Sequence, residues 1–137
     1  MKRLLALVLV VSLSSCFKES SGIETPVRAS AIVGTWQIIS NSYSIGGPQI
    51  NEEIEDGGFY SFDLNGSFSY NDTQNPSLNY SGNFEIEEEL IVLFYTKSDE
   101  SFTWKWRPDF KGDILIVYQG GPTICIEGCS FTLKRKD

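Results

Sequence analysis

The stretch Tyr60-Ser61-Phe62-Asp63-Leu64-Asn65-Gly66-Ser67-Phe68-Ser69-Tyr70-Asn71 alternates large apolar with polar side chains on both sides of Asn65-Gly66. A period of two places Tyr60, Phe62 and Leu64 on one face of a strand. Asn-Gly between two such runs is the strongest short hairpin signal available. Strands over residues 59–64 and 67–71 are therefore predicted, adjacent and antiparallel.

The same pattern spreads outward in both directions. Upstream, residues 32–43 form a first strand, entered from a single helical turn over Ala29-Ser30-Ala31-Ile32-Val33 and followed by a long loop, residues 44–56, rich in Gly, Pro and acids. Downstream, residues 79–86 and 90–96 flank Glu87-Glu88-Glu89 as a second hairpin. Residues 101–107, 113–119, 123–125 and 129–134 complete eight or nine strands, joined by connections short enough for neighbours to pair. Phe102, Trp104 and Trp106 share one face of their strand, whereas residues 90–95 and 114–118 are apolar on both faces. No long helix is indicated. An all-β meander of this size hides its apolar face by closing into an up-and-down antiparallel barrel, which also removes exposed edges; a β-sandwich is the alternative.

The chain opens differently. Met1-Lys2-Arg3 precedes an apolar run of about ten residues, the layout of an export signal and too short for the roughly 20 apolar residues of a membrane-spanning helix. Leu13-Ser14-Ser15-Cys16 resembles the lipobox of bacterial lipoproteins. That resemblance implies removal of residues 1–15 as a signal peptide and lipidation of Cys16 as the new N-terminus. Several acyl chains hold a protein on a membrane where one does so only marginally. Residues 16–30 read as the lipidated end and a flexible tether, and residues 31–137 as the domain. Phe17, not Asp, follows Cys16, which resembles outer-membrane sorting. The expected location is thus the cell envelope, at the outer membrane.

Loss of residues 1–15 removes Lys2 and Arg3 and no acid, so the formal charge falls from −7 to −9. Apart from Lys134-Arg135-Lys136 no basic stretch exists to neutralise a phosphate backbone, which disfavours nucleic acid as a partner. Of three Cys, Cys125 and Cys129 remain as an even pair in an oxidising compartment. The tight turn Ile126-Glu127-Gly128 would set them on facing strands at a separation that a disulfide spans. With no His anywhere in the chain, two thiols make a poor zinc site, so no metal and no cofactor are expected.

Gly34-Thr35-Trp36 at the head of the first strand is similar to the Gly-x-Trp signature of lipocalins. Together with Tyr60-Ser61-Phe62-Asp63-Leu64-Asn65-Gly66-Ser67-Phe68 and the closing Phe131-Thr132-Leu133-Lys134-Arg135, the chain resembles the lipocalin-like domains of many bacterial lipoproteins over residues 31–136. The resemblance implies that Gly34 turns the backbone into the barrel and Trp36 plugs its closed end. A late basic residue, Lys134 or Arg135, would pack over that Trp.

An eight-stranded barrel is either filled by side chains or just wide enough for one small ligand. Phe94, Trp104, Trp106 and Tyr118, on consecutive strands, are the candidates to line an apolar cavity; they could equally fill the barrel solid. The expected function is a monomeric, non-enzymatic, lipid-anchored binding protein that holds a small apolar or amphiphilic ligand. The alternative is a solid barrel whose loops, above all residues 44–56 and 71–77, contact an envelope protein or glycan. Without His the commonest general base is missing. Asp63, Asp109 and Asp113 fall near turns, where Asp serves local hydrogen bonding, and Glu85 to Glu89 lack the spacing of a calcium loop.

Overall fold

The computed structural model of the chain describes residues 27–119 and 128–137. The expected signal peptide and Cys16, and the strand expected at residues 123–125 with Cys125, lie outside the described residues. A one-turn helix, α1 (Ala29–Ile32), leads into nine strands: β1 (Gly34–Tyr43), β2 (Ile50–Glu53), β3 (Phe59–Phe62), β4 (Ser67–Asn71), β5 (Tyr80–Glu87), β6 (Leu90–Lys97), β7 (Glu100–Lys111), β8 (Ile114–Gln119) and β9 (Ser130–Arg135). Each of β3 to β8 pairs antiparallel with the next, β1 pairs with β3, and β9 returns to β1. The result is a closed eight-stranded lipocalin-like barrel, not a sandwich, with β2 as one extra strand.

The period of two chooses the inside. Trp36, Tyr60, Phe62, Phe68, Phe84, Ile91, Leu93, Trp106, Leu115, Val117, Phe131 and Leu133 are buried and form one cluster, with Ile32 of α1 beneath it. The body begins by Val27, whose side chain already packs against that cluster. Tight turns close the later hairpins. Ser98-Asp99, both at positive φ, join β6 to β7, and Gly112 at φ +66° helps join β7 to β8.

Three details differ from the sequence reading. The first hairpin turns over Asp63 to Gly66, closed by Gly66 N–H donating to Asp63 O at 3.1 Å, with Gly66 at φ +85°. This is the longer hairpin loop with a left-handed glycine. The Asn65 carboxamide oxygen accepts from Ser67 N at 2.9 Å and Ser67 Oγ at 2.7 Å, and Leu64 is thrown into solvent. Second, β7 continues through Pro108. The β6 ladder has ended at Trp106, so the missing N–H interrupts no β6 pairing. Third, the 44–56 segment contains a strand, β2.

That third difference opens the wall. β9 runs along one edge of β1 from Trp36 to Ser42. The other edge is shared: β3 takes Gly34 to Gln37 and β2 takes Ser40 to Tyr43. β3 then pairs with β4, whereas β2 pairs only with β1 among the described residues. Between β2 and β4 the barrel is forked.

Candidate functional site

At the closed end the residues of the Gly-x-Trp signature are structural. Trp36 is fully buried and its Nε1–H donates to Ile32 O at 2.7 Å, which ties β1 to α1. The Arg135 guanidinium lies over the indole, 4.2 Å from its centroid, and donates to Val33 O at 2.7 Å and Ala31 O at 2.8 Å. A planar fork serves two carbonyls and a ring face at once. Arg135, not Lys134, is therefore the basic residue on the tryptophan; Lys134 points to solvent. Gly34 has φ +124°, and a Cβ there would sit 2.6 Å from Arg135 Nη1. The glycine makes room for the arginine.

The four candidate cavity residues do not converge. Trp106 is wholly buried at the centre, edge-on to Tyr60 at 4.9 Å and Phe131 at 5.1 Å between centroids. Trp104, one pleat further on, is half-buried against Tyr95 at 6.1 Å. Phe94 alternates with the buried Leu93 and Tyr118 with the buried Val117, so both stand on outer faces. Arg107 lies 5.5 Å over the Tyr118 ring. Toward the mouth, Tyr60, Tyr70, Tyr80 and Tyr95 form a stack of ring contacts, with the Tyr60 and Tyr80 hydroxyls 2.7 Å apart. Burial pushes the Tyr60 hydroxyl well above the ordinary tyrosine range, with Tyr80 adding to it; burial likewise raises Tyr80. Among the described residues, the buried Trp106 Nε1 has no hydrogen-bond partner.

A concavity formed by described residues lies instead at the fork. It is a cleft of about 560 Å³ between Ile38 and Asn41 of β1, residues 54–58, Tyr70 of β4, and Asp72, Gln74 and Asn75. Both loops singled out in the sequence meet here. Glycines permit the close approach: a Cβ on Gly57 would lie 2.0 Å from Ile38 O, and one on Gly58 would strike the Tyr70 ring at 2.5–2.7 Å. The far wall is shaped by Asp72, whose Oδ1 accepts from Gln74 N at 2.9 Å and Asn75 N at 2.8 Å. Its own N–H donates to Asn79 Oδ1 at 2.7 Å. Glu55 and Asp56 remain exposed on the near wall.

Sequence reasoning found the loops but missed Ile38, Asn41 and Tyr70 on the strands beside them. The adjacent pair Gly57-Gly58, directly before a strand, was the available signal for a close backbone approach. The cleft offers carboxylates, carboxamides and main-chain groups, a set suited to hydrogen bonding and attraction of cations. Among the described residues no three His, Cys, Asp or Glu are placed to hold a metal ion, and no helix is long and apolar enough to cross a membrane. Cys129 takes part in a disulfide; its expected partner, Cys125, falls outside the described residues. Set against known proteins, the chain matches no family model and no curated protein.

Proposed function

We propose that this is a lipid-anchored binding module of the bacterial envelope, held by acylated Cys16, that engages a protein or glycan through the fork in its barrel wall. The observation that carries the reading is where space and polar groups lie together. The described interior is a contiguous apolar cluster, while the cleft between residues 54–58 and 72–75 is open and polar. A tether between Cys16 and Val27 would let that cleft face outward from the bilayer. No catalytic step is assigned.

One observation favours a second reading, carriage of a small amphiphilic molecule inside the barrel. A buried N–H without an acceptor costs on the order of 1–3 kcal/mol, and the carbonyl or hydroxyl of a bound molecule could satisfy Trp106 Nε1. Native mass spectrometry of the purified acylated protein with a lipid mixture separates the two. The fork reading expects no lipid retained beyond the covalent anchor. A stoichiometric lipid lost on Trp106→Phe would overturn it in favour of carriage.

A further inference from the structure

β2 exposes all four of its residues, Ile50 to Glu53, and pairs with β1 alone among the described residues. Ile54 N–H donates to Ile39 O at 2.8 Å, so that residue faces β1. Antiparallel ladders alternate, which turns Glu52 and Ile50 toward β1 and leaves Asn51 and Glu53 presenting N–H and C=O outward, over the fork. Natural proteins blunt such edges because an unpaired row of donors and acceptors is a template for another strand. Here a single device is visible, negative charge. Glu52, Glu53, Glu55 and Asp56 cluster on or beside the edge, and neither ion pair found among the described residues, Lys105–Glu87 or Lys111–Asp109, involves them. Two copies pairing edge to edge would set these carboxylates against one another.

We propose that the free edge of β2 and the adjoining cleft bind an extended cationic peptide segment of a partner protein by strand addition. The main chain of the peptide would pair with Asn51 and Glu53, and its Lys or Arg side chains would reach Glu52, Glu53, Glu55 and Asp56. This rests on the fork being the binding site and deepens that reading by naming the occupant. Peptide is favoured over glycan by the main chain of β2, whose outward N–H and C=O groups match another strand, and by the carboxylates beside it, which match cationic side chains. Strand addition of this kind takes affinity from main-chain bonds and selectivity from side chains.

The test is fluorescence anisotropy of the whole chain in detergent with a labelled peptide of alternating Lys and Val. Controls are the same peptide N-methylated at alternate amides and its Glu-Val counterpart. The Lys-Val peptide should bind, more weakly at high salt, and the Glu-Val peptide should not. N-methylation, or Asn51→Pro, which deletes an outward N–H and leaves the β1 ladder intact, should weaken binding by about tenfold, the loss of one or two main-chain bonds. Glu52→Gln with Glu53→Gln gives a second, conservative variant that should weaken binding and flatten its salt dependence. Failure of the Lys-Val peptide to bind, or equal binding after N-methylation, overturns strand addition. Equal binding after N-methylation that disappears on Asn75→Trp, which plugs the cleft, leaves the fork as the site; equal binding that this substitution does not change overturns both readings. A chain that sediments alone as a dimer, dissolved by Asn51→Pro, would assign the edge to a second copy and contradict the proposal.

Discussion

Arg135 does three things with one planar group. It covers the indole of Trp36, satisfies two carbonyls at the end of α1, and occupies the space that Gly34 leaves by lacking a Cβ. Replacing it with Ala leaves Val33 O and Ala31 O without their donors and uncovers the ring. We expect Arg135→Ala to cost about 2–4 kcal/mol, read as a shift in urea midpoint, whereas Lys134→Ala, one residue earlier and solvated, should stay within about 0.5 kcal/mol. Gly34→Ala should be non-additive with Arg135→Ala in a double-mutant cycle, because both disturb the same guanidinium. The sequence placed a basic residue near Trp36 but could not say which, since neighbours on a strand point oppositely and a one-residue change of register exchanges them. Tyr60 gives a second expectation. Its hydroxyl is raised in the folded state, so the unfolded chain loses that proton first as pH rises. The stability it contributes is therefore intact below about pH 10 and declines above it, by up to about 1.4 kcal/mol per pH unit. Urea midpoints between pH 9 and 11.5 should fall less steeply for Tyr60→Phe than for the unaltered protein.

The strands legible in the sequence are those with at least one buried face. β3, β4, β5 and β7 announce themselves because water is excluded from alternate residues, β6 because it is a continuous apolar run, and their ends are shifted only where turn chemistry or Pro108 intervenes. β2 is invisible for the opposite reason. Ile50-Asn51-Glu52-Glu53 buries neither face, so no period of two marks it, and only its hydrogen bonds to β1 make it a strand. The same blindness hid half of the cleft, since Ile38 and Tyr70 read as ordinary members of their strands. Close approach between elements is likewise recorded mainly by glycine. A Cβ on Gly82 of β5 would lie 1.9 Å from Phe94 O on β6. Gly82→Ala should force the two strands apart and cost about 2–3 kcal/mol, in the range of strained backbone substitutions, with thermal unfolding as the measure. Gly112→Ala, where nothing lies within 4 Å of the added carbon, strains only its own turn and should cost about 1 kcal/mol.

For the molecule as a whole, closure was predictable because an apolar-faced meander has few ways to hide its edges, and the barrel does so everywhere but at β2. What the strands could not reveal was whether the aromatics line a space or fill it, since Trp104 and Trp106 look alike in sequence to Phe94 and Tyr118 until the register assigns each an inside or an outside. The folded barrel directs two inward and two outward and moves the open, polar space to the fork. Hydrogen exchange on the full chain, with and without the Lys-Val peptide, reads this arrangement amide by amide. The peptide should slow exchange at Asn51, Glu53 and residues 72–75 while leaving β6 and β7 at Leu93 and Trp106 unchanged. Added protection confined to the interior strands, with the β2 edge unaffected, would contradict binding at the fork.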